Sequence, residues 1–155
     1  MLIFCHYTLF KRQINLTHTA PTPTTSPPIN LPRAQEELQQ AFHVYEDALV
    51  HNKVDVLDAL FWNSPHTLRY GAKENLNGYD DIKAFRAARP GAGLNRDILD
   101  CHIVTFGDSM GVANITFRRA GEPRVGRQSQ TWVKFDVDFA DGWRVVSAHV
   151  SWMDV

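Results

Sequence analysis

Two side chains in this sequence pair a chemically useful group with a place on an otherwise apolar element. Tyr45 falls in the series Ala34, Leu38, Ala41, Phe42, Tyr45, Ala48 and Leu49. Spacings of three and four predict the buried stripe of an amphipathic helix running to about Val50. A phenol there either satisfies its hydroxyl inside a core or projects into a cavity to give or take a proton, and the pattern leaves both open. Arg69 stands between Leu68 and Tyr70 on a short strand candidate. Facing inward, an always-charged guanidinium needs an anion, and its planar fork suits a carboxylate. Facing outward, it would pair with a surface acid, and alternation does not choose between the two.

Other candidates follow from strand phase. Between Gly126 and Phe139 the residues Val133, Phe135, Val137 and Phe139 alternate with Lys134, Asp136 and Asp138. Stepping back by twos along that apolar face gives Thr131, Ser129 and Arg127, so the face read as inner turns polar at its start, as a pocket wall does. Gln128, Gln130 and Trp132 would then form the outer face, against a second subunit. On the final strand Trp143, Val145, Ser147, His149 and Ser151 share one face, and His149 is a candidate either for the pocket or for a satisfied structural role. Arg86 and Arg89, at i and i+3 of a helix, would guard a pocket mouth or form a solvated face. Trp62 and Tyr70 are candidate wall residues.

Familiar catalytic signatures are not expected. The sequence is read as lacking a Gly-x-Ser-x-Gly elbow, a phosphate-cradling glycine loop that opens a helix, and a His-x-x-x-His pair. Cys5 and Cys101 are too few and too far apart for a thiolate metal site or a disulfide framework. Cys101 and His102 are adjacent on a strand and point to opposite faces. The reading calls for no metal and no cofactor, and for a reducing, cytoplasmic setting.

Positioning these residues requires three helices and then a meander. Helices are predicted from Pro32 to Val50 with Asn30 as cap, from Lys53 to Phe61 with Asn52 as cap, and from Tyr79 to Arg89. Thr67–Gly71 is a short strand, and Asn77-Gly78 is a turn signal. From Asn95 the period changes to two, and strands are expected over 98–106, 111–119, 126–139 and 143–152. Asp141-Gly142 marks the last hairpin. The chain of 155 residues, 44% hydrophobic, is long enough for one buried core. Its net charge of −1 argues against a nucleic-acid face or a polybasic membrane anchor. Residues 1–30 hold Lys11 and Arg12 and no acid, which leaves 14 basic and 17 acidic residues for the rest. The Thr/Pro-rich tract closing that segment reads as disordered, so residues 1–28 are expected to be an extension and 29–155 the single domain. The apolar opening has its charges behind it and is too short for a membrane span.

The order of elements is similar to the nuclear transport factor 2-like (SnoaL-like) superfamily, an α+β fold in which a cone-shaped, curved antiparallel sheet wraps N-terminal helices. Within it, Tyr45-Glu46-Asp47-Ala48-Leu49, Leu60-Phe61-Trp62-Asn63, Arg69-Tyr70-Gly71 and Glu74-Asn75-Leu76-Asn77-Gly78-Tyr79 resemble the AtzH-like/HpxZ oxalurate-catabolism family. So do Phe85-Arg86-Ala87-Ala88-Arg89-Pro90 and Arg127-Gln128-Ser129-Gln130-Thr131-Trp132. The resemblance implies that Tyr45 and Arg69 stand at the family's active-site positions, with Arg127, Ser129, His149, Tyr70, Trp62 and Arg86 around the substrate. It implies hydrolytic or decarboxylating cleavage of a small anionic ureido compound, such as oxalurate or an N-carboxyurea, in purine or s-triazine nitrogen catabolism. Arg69 would hold the carboxylate and Tyr45 would move the proton. A homodimer through the sheet is expected. The alternative is a non-catalytic cone domain that binds the anion or a partner amidohydrolase.

Overall fold

The computed structural model describes residues 26–155, so the expected extension lies, up to residue 25, outside the described residues. Ile29 bridges Phe106, and Asn30 is tied to Thr105 twice: its N–H donates to the carbonyl, and its Oδ1 accepts from the Thr105 N–H, each at 3.0 Å. Asn30 is therefore not the helix cap. It takes a left-handed turn (φ 55°) that anchors the chain to a strand, and Leu31 precedes α1 (Pro32–Val50) without a side-chain cap. Asn52 also acts differently from expectation. With φ at 51° it ends α1, where Asn52 N–H donates to Leu49 O and Lys53 N–H to Ala48 O in a Schellman closure.

After α1 come α2 (Val54–Ala59), β1 (Leu68–Tyr70), β2 (Asn75–Asn77) and α3 (Tyr79–Ala88). Then follow β3 (Asp97–Phe106), β4 (Met110–Arg118), β5 (Val125–Lys134), a 3-10 turn (Phe139–Gly142) and β6 (Trp143–Met153). One six-stranded sheet runs β2-β1-β6-β5-β4-β3. Every pairing is antiparallel except β1 with β6, which is parallel. β2 was not foreseen: three residues that contain Asn75 and Asn77 carry no strand signal, and only pairing with β1 makes them one.

The stripe predicted on α1 is the buried one, and Leu38, Phe42, Tyr45 and Leu49 pack with Phe117, Trp132, Trp143 and Val145 of the sheet. β5 stops at Lys134, short of the expected Phe139. Phe135 still donates to Gly142 O, but the intervening residues leave the ladder, and Ala140, Asp141 and Gly142 take left-handed φ in succession. The Asp-Gly signal therefore closes a loop of several residues, not a tight hairpin.

Strand register decides which side chains face the helices. Ladder partners share a face, so the inner rows are Thr105, Gly111, Trp132, Val145, and Ile103, Ala113, Gln130, Ala148, Arg69. Cys101, Ile115, Gln128 and Val150 form the next row. The inner face of β5 is thus Gln128, Gln130 and Trp132, the reverse of the expected assignment. A bulge between Thr131 and Trp132 leaves Val146 of β6 without an opposite, so that Trp143 and Val145 face inward above it and Ala148, Val150 and Trp152 below it. That slip moves Ser147, His149 and Ser151 to the outer face.

Candidate functional site

The open end of the cone encloses a cavity of about 340 Å³ between the lower inner rows of the sheet, α1, α3 and the loops after β1 and β4. Tyr45 and Leu49 of α1 and Phe85 of α3 line it, and Val150 and Trp152 of β6 form its floor. Tyr45 reaches it from one turn before the end of α1. Its ring is wedged at 6.3 Å edge-on to Trp132 and 6.4 Å from Phe42 and Phe61. Arg69 enters from the middle of β1, in register with Ala148, so that small residues of the same row (Ala148, Ala113) leave space beside it.

The walls carry much positive charge. Arg69, Lys73, Arg89, Arg96, Arg119 and Arg124 face the cavity, against Glu74 and Glu122. Arg69 Nη1 donates to Glu74 Oε1 at 2.6 Å, and its guanidinium lies 5.2 Å from the Phe85 ring centre. Arg96 is buried beneath the mouth, bound through two nitrogens to Glu46, with Nη1 donating to Gln128 Oε1 at 3.1 Å. Arg124 forks onto Glu122 at 2.8 and 2.9 Å. Those hydrogen bonds hold the Glu122 carboxyl below the usual carboxylate range. Arg89 and Arg119 have no carboxylate partner among the described residues. Burial lowers the pKa of both guanidiniums, and neighbouring cations lower it further, Arg69 first for Arg89 and Arg96 first for Arg119.

Of the residues singled out from the sequence, Tyr45, Arg69 and Arg89 line this cavity, and Arg86, Trp62, Arg127, Ser129, His149 and Tyr70 do not. Arg86 is 3% exposed under α3, where Nη1 donates to Asp58 Oδ1 at 2.8 Å and to Leu57 O at 3.0 Å over the Phe61 ring. It is neither a mouth residue nor a solvated one: its ion pair ties α3 to α2. Trp62 stacks on Phe135 at 5.4 Å in a different depression, because the β5–β6 loop folds onto it. Arg127 and Ser129 lie on the outer face for the phase reason given above, with Ser129 Oγ donating to Asn114 Oδ1 at 2.6 Å. His149 and Tyr70 sit edge to face on that outer side, 6.4 Å apart. Tyr70 is 39% exposed there.

Several pocket residues escaped the sequence reading. Glu74, Arg96, Arg119, Glu122 and Arg124 sit in loops or at strand ends, where no periodicity reports direction. Gly107-Asp108-Ser109-Met110-Gly111 does carry the Gly-x-Ser-x-Gly spacing that the reading denied. It forms the β3–β4 hairpin, with positive φ at Gly107 and not at Ser109, so the strained strand-to-helix elbow of a hydrolase nucleophile is absent there. Among the described residues no cluster of three or more His, Cys, Asp or Glu could hold a metal, and no helix is long and apolar enough to cross a membrane.

Solved structures share this architecture. A Pectobacterium atrosepticum protein of unknown function is 47% identical, with a TM-score of 0.79 over 84% of this chain and 100% of its own. A cystatin-like fold protein from Burkholderia xenovorans is 36% identical, with a TM-score of 0.77 over 83% of this chain and 98% of its own. A nuclear transport factor 2-like superfamily protein from Salmonella enterica shares the fold at 20% identity, with a TM-score of 0.62 over 79% of this chain and 93% of its own. No curated protein matches the sequence. The AtzH-like family model matches residues 27–155. With that match spanning nearly all the described residues and two relatives above 30% identity that build the same cone, this chain belongs to the AtzH-like family.

Proposed function

We propose that the cavity is an active site that cleaves a small anionic ureido compound of the oxalurate or N-carboxyurea type, by hydrolysis or decarboxylation. The single observation carrying this reading is the convergence of Tyr45 and Arg69 on one small cavity whose walls hold more cations than acids. Arg69 would exchange its bond to Glu74 for the substrate carboxylate and stabilise charge that builds on it. In decarboxylation the N–C bond to the carboxylate breaks, carbon dioxide leaves, and the nitrogen takes a proton from the Tyr45 hydroxyl, which solvent restores. In hydrolysis water adds to the carbonyl carbon, the C–N bond breaks as the same hydroxyl protonates the departing nitrogen, and the proton released by the water returns to the Tyr45 oxygen. A cytoplasmic setting accords with the free, exposed Cys101.

Purified protein, assayed alone against oxalurate and N-carboxyureas, is expected to turn over at least one of them. Tyr45→Phe should then lower kcat about 100-fold with little change in KM, the low end for a positioned proton donor. Arg69→Ala should raise KM at least tenfold. Wild-type protein that is inert with every substrate, and that copurifies with an amidohydrolase, would leave the accessory-subunit reading in its place.

A further inference from the structure

One neutral donor on the cavity wall has no acceptor. Gln128 projects from the inner face of β5, in a row with the apolar Ile115 and Val150, and is 3% exposed. It lines the cavity together with Val150 and Arg96. Arg96 Nη1 donates to Gln128 Oε1 at 3.1 Å, and the other two nitrogens of Arg96 are held by Glu46. A guanidinium has donors and no acceptor, so the amide atom that faces it is the oxygen. The Arg96 side chain is 1% exposed and lies 4.5 Å from the Phe117 ring centre, which fixes the fork, and the fork in turn fixes the amide. Nε2 of Gln128 is thereby turned away from Arg96. It is shut off from bulk solvent and has no acceptor among the described residues. A buried donor left unpaired is destabilising, and a ligand oxygen that accepts from it removes that cost.

We propose that Gln128 Nε2–H donates to the neutral carbonyl oxygen of the ligand, and that Glu46 and Arg96 are positioning residues that hold the amide in that orientation. This rests on the cavity being the ligand site, as proposed above. Such a donor does not answer to net charge. It separates a ligand with a carbonyl from one of the same charge and size that has a hydrocarbon group there. It also meets the chemistry of a ureido carbonyl. When water adds to that carbon, the C=O electron pair moves onto the oxygen. When a carboxylate leaves the adjacent nitrogen as carbon dioxide, the pair of the broken N–C bond passes to the nitrogen and is shared with the same oxygen. In both cases negative charge gathers on the atom that Nε2–H holds, and the amide exchanges no proton.

The test compares ligands matched in charge by calorimetry on the full chain: acetonedicarboxylate against glutarate, and N-carbamoylglycine against isocaproate. Wild-type protein is expected to bind the carbonyl-bearing member of at least one pair about five times more tightly, the size of one neutral hydrogen bond. Gln128→Met should erase that difference and leave affinity for the carbonyl-free member within about twofold. Gln128→Glu, as a carboxylate, still accepts from Arg96 but cannot donate. It should weaken both members of a pair and also erase the difference, so the outcome does not hang on one variant folding. Arg96→Lys, which keeps the charge and loses the fork, should shrink the difference although Gln128 is intact; an undiminished difference there would overturn the positioning role. Equal binding within both pairs by wild type would overturn the proposal. So would no detectable binding of any of the four, or a difference that survives in a Gln128 variant that melts cooperatively. With a ureido substrate that wild type turns over, Gln128→Met should lower kcat about 100-fold. A carbonyl preference lost in the Gln128 variants of a protein that cleaves no ureido compound would keep this donor and sink the proposed reaction. Turnover that Gln128→Met leaves unchanged, with no carbonyl preference in wild type, would do the reverse.

Discussion

At the scale of single residues, arginines of one charge do three different jobs within a few ångströms of the same helices. Arg86 is structural. Burial pushes its pKa down, the hydrogen bond to Asp58 pushes it back up, and burial prevails. Such a pair contributes little net stability compared with an apolar replacement, but breaking it strands a charge. Asp58→Ala is therefore expected to destabilise the domain by about 3–5 kcal/mol in urea unfolding, while the double change Asp58→Leu, Arg86→Leu should recover most of that loss. Arg69 and Arg96 are paired in and below the cavity, and Arg89 and Arg119 have no acid partner among the described residues. Type and sequence spacing do not separate these roles, since Arg86 on α3 and Arg89 just past its end stand three residues apart. What separates them is whether an acid lies within reach.

At the scale of elements, close approach between strands leaves little slack. A methyl on Gly126 would sit inside the Phe117 ring of the adjacent β4, at the row that closes the cavity floor. Gly126→Ala should cost about 1–3 kcal/mol, seen as a lower urea midpoint with an unchanged m-value. The middle of β5 holds the opposite case. Gln130 is 1% exposed, and neither its amide nitrogen nor its carbonyl oxygen has a partner among the described residues. Unpaired buried amides are costly, so Gln130→Met, close in volume, should raise stability by about 1 kcal/mol in the same assay. A loss of stability of that size would mean that the amide is satisfied in solution. Both substitutions lie on strands whose alternation was legible. The inward direction of Gln130 was not, because apolar residues occupy the other phase at the end of β5.

At the scale of the whole molecule, the sheet has one face covered by helices and one without cover among the described residues. Ladder partners on the outer face form an apolar band from Val104, Val112 and Thr131 to Phe106, Met110 and Val133. Beside it runs a polar band that includes His102, Asn114, Ser129, His149 and Tyr70. We propose that a second copy of the chain covers this face, since an apolar band flanked by hydrogen-bonding groups suits a self-complementary interface. Light scattering coupled to size exclusion should give the dimer mass for wild type, and Val112→Arg should shift it to the monomer without loss of the melting transition. A monomeric wild type at tens of micromolar would remove the dimer from the account. On this reading the polar residues expected in the pocket (Arg127, Ser129 and His149) belong to the interface instead.

The sequence established what local physics can carry. The apolar stripe of α1, the change of period near Asn95 and the turn signals led to the helices and the long strands, and the family motifs led to Tyr45 and Arg69 as a pair. Alternation also showed which residues of each strand share a face, but it could not show which face met the helices. That choice rests on packing: Trp132 under Tyr45 turns the even residues of β5 inward, and one bulge opposite Val146 rotates the end of β6 so that Trp152 and not His149 reaches the cavity. Apart from Arg89, read beside Arg86 as a candidate for the pocket mouth, the charged rim was out of reach for a related reason. Arg89, Arg96, Arg119 and Arg124 lie outside the regular elements and meet only because the sheet curls the loop after β4 toward the end of α3. Near-neutrality of the chain as a whole concealed that meeting, since net charge is a sum over all residues and a binding site is a matter of which of them converge.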